Sequence, residues 1–346
     1  MNFGDGPSKS WHDYAKYMPY LAREYDGGLA QWLSEETRAD ITGHNPLTRF
    51  LGLIWHDPAI VPKSPEDLPE FHWFEEQGIA FWRSSWTGNG TVIGIKCSPP
   101  GGHHAASTFP YNPGSSHSQP DAGTFLVFGE GRWLVAPPGY TKDRQTAYAN
   151  TLLINDEPQI GSGDHWLHTD AYATENRHPR ITEVRSSGGI TRVRCDLTPA
   201  YLDPGLSRCE RTFFLVDENT WVVVDEIEHE LPAVAKAIFH SDETFLIEAN
   251  LVATSVLGDS EYRATLYPLG STRAGLSAAT QTEWTKHDGK LQKPVLTVEN
   301  EPEREFGWAV LFQVRKPDEP FAQLLHDEQT GGLSLVRGAN SLELVP

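Results

Sequence analysis

Cysteine is scarce in this chain: Cys97, Cys195 and Cys209 are three among 346 residues. They are too few and too scattered for a disulfide framework, so burial and hydrogen bonds must hold the fold. Cys195 and Cys209 flank a turn centred near Tyr201, and a hairpin there would let them face each other; the simpler expectation is two half-buried thiols. Long apolar runs are absent too, none approaching the ~18 residues of a membrane-spanning helix. Positive charge is the third shortage. Lys and Arg number 28 against 47 Asp and Glu, a formal net charge of −19. Such a field repels phosphate backbones and anionic bilayers, which argues against nucleic-acid and membrane partners. It would also repel an anionic polysaccharide at long range, unless Arg and His gather locally in a cleft. The segment after Met1, NFGDGPSKSW, has neither a basic start nor an apolar stretch, so no secretion signal is visible. Taken as complete, the chain is expected in the cytoplasm; taken as part of a longer protein, in the periplasm or outside the cell.

Core-forming material is plentiful, with 38% hydrophobic residues and 11 Trp. Wholesale disorder is thereby excluded. Gly (30) and Pro (25) are scattered without a period, which excludes collagen and predicts many turns. The first 56 residues read as helices. Trp11, Tyr14, Met18, Leu21, Ala22 and Tyr25 share one helical face, with Ser10 and Asp13 as a capping box. Leu29, Trp32 and Leu33 mark a second helix. Asn45-Pro46 opens a third that presents Leu47, Phe50, Leu51 and Ile54. Residues 57–70 hold four prolines and form the best boundary, giving a helical segment with linker over 1–70 and a β-domain over 71–346. From Phe71 onward, segments such as TVIGIKC (91–97), TFLVF (124–128), RTFFLV (211–216), TWVVVDE (220–226) and WAVLFQV (308–314) are short, β-branched or aromatic, and separated by turn residues. About eighteen strands without interleaved long helices predict a mainly β protein, a large antiparallel β-sandwich rather than a parallel sheet.

One loop carries chemistry. SPPGGHHAASTFPYNPGSSHSQPDAG (98–123) holds five prolines, four glycines and three histidines between two strands. Loops this long inside a domain are functional or disordered. His117 and Asp121, at i and i+4, with His103 or His104, would suit a metal. They would equally suit general acid–base work, an imidazole being able to exchange protons near neutral pH. His240 reads as a core histidine. Asp225 and Glu226 are adjacent, so they point to opposite faces of a strand and do not make a glycosidase pair.

The stretch HSQPDAGTFLVFGEGRWLVAPPGY, followed by NTLLINDEPQ, resembles the β-domain signature of the heparinase II/III-like polysaccharide lyases, as do PPGGHH, NFGDG and RCERTFFLVDENTWVVVDE. The resemblance covers nearly the whole chain. It implies a supersandwich preceded by the last helices of an incomplete α/α toroid, with a cleft between them. It also implies β-elimination on uronic-acid-containing glycans, in which a base removes the C5 proton and an acid assists the C4 oxygen. His117 matches the family's β-domain histidine and is the expected catalytic residue. His103, His104, Gln119, Asp121, Tyr140, Arg144, Asn150 and Gln159 are expected to bind substrate, Arg144 through a bidentate carboxylate contact. His165 and His168, in GDHWLHTD, would lie on a rim loop. Gln119, Pro137 and Ala149 stand where relatives carry the ligands of a structural zinc, so the resemblance implies no metal here, and no cofactor. The family's catalytic Tyr lies upstream of NFGDG, and Tyr14, Tyr17 and Tyr20 do not match it. The chain alone is therefore expected to be a poor lyase unless a partner chain or oligomer completes the cleft. The alternative is a non-catalytic glycan-binding or scaffold sandwich; a glycoside hydrolase is a distant third.

Overall fold

A computed structural model describes residues 3, 17–25, 27–38, 46–88, 90–109, 117–163, 172, 177–285, 289–327, 330 and 332–344. Two compact units divide the chain: Pro7–Glu70 with Ser85–Gly88, and Met1–Gly6 with Phe71–Ser84 and Asn89–Pro346.

The smaller unit carries three helices, α1 (Met18–Tyr25), α2 (Gly28–Arg38) and α3 (Pro46–Trp55). Trp11, Tyr14, the Ser10–Asp13 box and Asn45 lie outside the described residues. Ala22 of α1 is fully buried, and the Gly27 N–H closes α1 on the Ala22 carbonyl at 2.9 Å. The proline-rich stretch is pinned to α2: the Lys63 N–H donates to the Gly28 carbonyl at 2.9 Å, and a Cβ on Gly28 would come within 2.8 Å of the Val61 oxygen. Close backbone approach is what requires glycine there. The apolar face expected of α3 is only partly covered, with Phe50, Leu53 and Ile54 being 57%, 77% and 51% exposed. Trp55 packs against Tyr20 at 5.3 Å.

In the larger unit, twenty strands form four sheets among the described residues. Every pairing is antiparallel. The first sheet runs β1 (Phe71–Phe74), β2 (Ile79–Arg83), β3 (Val92–Lys96), β4 (Thr124–Gly129) and β5 (Arg132–Val135). An eight-stranded sheet has the order β12 (Leu246–Ala249), β13 (Val252–Leu257), β14 (Ser260–Pro268), β17 (Glu303–Arg315), β10 (Thr220–Ala233), β9 (Leu206–Asp217), β8 (Ile190–Asp196), β7 (Arg180–Ser187). A four-stranded sheet joins β15 (Ala274–Thr285), β16 (Gly289–Asn300), β11 (Ala235–His240) and β6 (Leu152–Ile154). The last sheet is β18 (Ala322–His326), β19 (Leu333–Arg337) and β20 (Asn340–Leu344). The chain is thus the antiparallel, mainly β sandwich that the strand texture predicts.

Burial explains the texture. In β10, Trp221, Val223 and Ile227 enter the main core with Phe125, Phe213, Phe239 and Phe312, while Val222 and Val224 enter a second core under Leu324, Leu333 and Leu335 of the small sheet. A strand covered on both faces reads as a continuous apolar run, hence TWVVVDE. Trp221 lies opposite Phe312 across β10–β17, and their rings stack at 5.5 Å.

The cysteines depart from expectation. Cys195 lies opposite Arg211 and Cys209 opposite Ile227, so the two do not face each other across a hairpin. All three are free thiols, fully buried rather than half-buried, and Cys97 is the neighbour of Cys195. Burial pushes the Cys97 and Cys209 thiols up, which leaves them unreactive.

His240 is a fully buried core residue, with Nδ1 3.0 Å from Asn150 Oδ1. Burial, reinforced by Lys293, pulls its pKa down to about 3. His103 and His178, stacked at 5.7 Å, are also held below the usual imidazole value, by burial first and then by neighbouring charge. All three are disposed to remain neutral in the fold, whereas the unfolded chain takes up protons below about pH 6.5. Stability is therefore fully present above that pH and falls as pH drops from about 6.5 towards 5, by up to ~1.4 kcal/mol per unit for each strongly shifted histidine. Urea denaturation at three pH values across that window measures the slope. His240→Gln should flatten it, and a stability that rises on acidification would contradict the assignment.

Candidate functional site

The loop that enters β4 is held by its own sequence. Gly123 has φ +80°, and a Cβ there would meet the Leu197 side chain at 2.4 Å, so the Asp-Ala-Gly turn needs glycine at this position. The Gly123 N–H donates to the Lys96 carbonyl at 2.8 Å, and the Thr124 N–H to the Asp121 carbonyl at 3.0 Å. Beneath the turn, Lys96 of β3 donates its ammonium to the Asp121 carboxylate, both side chains nearly enclosed. Asp121 therefore faces a buried lysine, not substrate. Its role is to fix the loop.

His117 emerges exposed from this turn, its ring edge-on to Tyr140, centroids 5.4 Å apart and planes at 70°. Tyr140 belongs to the segment after β5, which is anchored at its start by the Ala136 N–H on the His240 carbonyl at 2.9 Å. Gln119 is buried, its amide reaching the Gly139 carbonyl at 3.5 Å, so it ties the two loops together. The Arg144 guanidinium lies 5.8 Å from the Tyr140 ring centre. The structure thus brings His117, Gln119, Tyr140 and Arg144 into one cluster.

Other expected contacts are corrected by burial. Arg144 is only 2% exposed and donates to the Lys142 carbonyl at 3.4 Å, so it supports the Tyr140 loop instead of offering a fork to a carboxylate. Asn150 is fully buried: its amide donates to the Phe125 carbonyl at 2.9 Å and accepts from the His240 N–H at 2.8 Å. Gln159, 1% exposed, bonds both the N–H and the carbonyl of Ala122, at 2.8 and 2.9 Å. Both amides replace backbone partners beneath the motif turn and cannot line a cleft. His103 and His104 open a short helix, α4 (His103–Thr108), where His103 stacks on His178 and His104 is exposed. His165 and His168 lie outside the described residues.

Two residues that sequence alone does not single out belong to this region. Lys96 sits in a β-branched strand with no local signal that its ammonium has a buried partner. Trp284 is 63% exposed at the end of β15, and its carbonyl accepts the Lys142 N–H at 3.1 Å next to a Thr141–Thr285 bridge. The signal for Trp284 is weak: a tryptophan in the otherwise polar run TQTEWT. Inward from it, burial and the adjacent Glu283 carboxylate push the Tyr148 phenol up to about 12, so Tyr148 remains a neutral hydrogen-bond donor. Chemically the region offers an exposed imidazole, a half-exposed phenol, the exposed Lys142 ammonium and an indole face.

Comparison with known proteins agrees with this fold. The curated heparin-sulfate lyase of Pedobacter heparinus is 28% identical over 156 residues, 43% of this chain and 20% of that protein. The crystal structure of a heparan sulfate lyase from the same organism aligns over 99% of this chain and 49% of its own, with a TM-score of 0.66 and 17% identity. A heparinase III with methylated lysines aligns with a TM-score of 0.69 at 14% identity, again over 99% of this chain and 49% of its own. These structural likenesses carry the fold, and the chain spans about half the length of the solved relatives. The family model described as heparinase II/III-like, C-terminal, matches residues 66–309, and the chain belongs to that family of heparinase-like polysaccharide lyases.

Proposed function

We propose that this chain forms the β-sandwich part of a polysaccharide lyase that cleaves a uronate-containing anionic glycan by β-elimination. The observation that carries the reading is the exposed His117 imidazole, held edge-on to Tyr140 at the mouth of the motif loop. In the reaction a base takes the C5 proton of the uronate, the C4–O bond breaks, C4 and C5 become doubly bonded, and the departing oxygen gains a proton. No water enters the product. An imidazole beside a phenol can hold either proton near neutral pH. In this reading the exposed Lys142, two residues after Tyr140, meets the uronate carboxylate, whose neutralisation favours loss of the C5 proton. The names of the relatives, lyases of heparin and heparan sulfate, support this substrate class. Further polypeptide completes the site in this reading, whether more of the same protein or a partner chain.

Mass spectrometry of glycan fragments produced by the protein from its native source tests the reaction class. Elimination leaves one fragment a water lighter than hydrolysis does, and appearance of hydrolytic fragments alone would overturn the reading. Binding tests the position of the site. Trp284 offers an aromatic face for the apolar side of a sugar ring, so Trp284→Ala should weaken binding of a heparan sulfate oligosaccharide about tenfold. Calorimetry checks it, and unchanged affinity would remove Trp284 from the site.

A further inference from the structure

Strands β7 and β8 form a hairpin through Gly188 and Gly189, whose φ angles of +60° and +82° suit a tight turn. Its register places Arg185 directly opposite Arg192, and Glu183 opposite Arg194. Alternation puts all four side chains on the face turned away from the main core, because Val184, Val193 and Cys195 occupy the inner one. Like charges directly opposite each other on a sheet are destabilising. Here one carboxylate stands among three guanidiniums: Arg192 Nη2 donates to Glu183 Oε1 at 2.6 Å, while Arg185 and Arg194 add only their fields. Arg194 Nε is buried with no hydrogen-bond partner among the described residues. A local excess of positive charge, in a chain of net charge −19, is thus concentrated on one hairpin.

This hairpin forms one wall of a pocket of about 290 Å³. Arg185, Arg192, Phe214 and, from the small sheet, Ser341, Leu342 and Glu343 line it. Arg192 is itself only 6% exposed, so its guanidinium is fixed in the wall. Planar guanidiniums ligate carboxylate and sulfate oxygens in pairs. The apolar wall of Phe214 and Leu342 suits the C–H face of a sugar ring, and the volume is at the lower end of that of small-ligand pockets. Glu343 is the one acidic side chain lining the pocket, and it opposes an anion.

We propose that this pocket is a second binding site for an anionic sugar unit, with a sulfate or carboxylate group on Arg185 and Arg192 and the ring against Phe214 and Leu342. It lies on the outer face of the eight-stranded sheet, whereas the β3–β4 sheet bearing the His117 loop packs on the inner face. The sugar part of the assignment rests on the function proposed above; the anion part rests on the arginines alone. Bound there, one segment of a long glycan is tethered while another reaches His117.

Calorimetric titration of the full chain, first with inorganic sulfate and then with heparan sulfate disaccharides in sulfated and unsulfated forms, tests it. The expected result is binding that weakens with added salt and falls about tenfold in Arg185→Ala, a side chain exposed enough to be removed without disturbing the fold. Glu343→Gln should tighten it. Preference for the sulfated disaccharide identifies a sulfate ester as the ligand group; equal binding identifies the carboxylate. Affinity unchanged in Arg185→Ala, or no binding of any of the three probes, would overturn the site. Lyase activity with Arg185-independent binding would sink the second site and leave the proposed reaction standing. Arg185-dependent sulfate binding in a protein that cleaves and binds no glycan would do the reverse.

Discussion

Asp225→Asn is expected to remove about 3–5 kcal/mol of unfolding free energy, the largest stability loss of any conservative change in this chain. The reason lies in the register. Arg211, Asp225 and Trp308 stand abreast on β9, β10 and β17, all turned into the main core. Arg211 Nε and Nη2 donate to the two Asp225 oxygens at 2.6 and 3.0 Å, and Trp308 Nε1 donates to Oδ2 at 3.0 Å. Arg211 Nη1 continues to the carbonyls of Gly123, at 3.1 Å, and Asn150, at 2.9 Å. The pair thus joins the eight-stranded sheet to the motif turn that presents His117. Removing the carboxylate charge leaves a guanidinium enclosed without a counter-ion. Denaturant unfolding of Asp225→Asn measures the loss. Arg211→Met with Asp225→Leu should recover part of the stability, since two apolar groups leave no buried charge. A loss below about 1 kcal/mol would mean the pair is hydrated and does not organise the turn.

His117→Ala is expected to have the largest effect on activity, a fall of about 10²–10⁴-fold in turnover with little change in unfolding free energy. His117 is exposed, so its removal opens no cavity, and its ring contact with Tyr140 is an edge contact on the surface. A proton carrier and a structural residue differ in what they change. Loss of the imidazole should abolish one limb of the pH–rate profile, while a packing role would scale the whole profile. Tyr140→Phe keeps the edge contact and removes the phenol, and it should lower turnover without altering that limb. Thermal unfolding of both variants, compared with wild type, separates instability from lost chemistry.

Much of the architecture was legible because strand texture is local. TFLVF, RTFFLV and WAVLFQV alternate or run apolar for reasons of burial on one face or two, and each lies in a strand. The long strands β15 and β16 were less visible, since half of AGLSAATQTEWT is polar and residues 277–280 are exposed in succession. At the site, residue type misled in one direction. Arg144, Asn150, Gln159 and Asp121 look like cleft-lining groups because polar residues are commonly exposed. In this fold they satisfy backbone and charge beneath a turn. Sequence spacing cannot show that Lys96 lies under Asp121, because a hydrogen bond across 25 positions depends on the β3–β4 register. The like-charged pair Arg185 and Arg192 is hidden for a similar reason: seven positions apart in sequence, they become neighbours only when the hairpin closes.

The account turns on whether the imidazole at position 117 handles a proton during glycan elimination. Ultraviolet absorbance of the unsaturated uronate follows that reaction directly, with heparan sulfate as substrate and the protein taken with any polypeptide that accompanies it in its native source. The account predicts a steady rise for the wild type and a rate at least about a hundredfold lower for His117→Ala at equal folded protein. Equal rates for the two would contradict it.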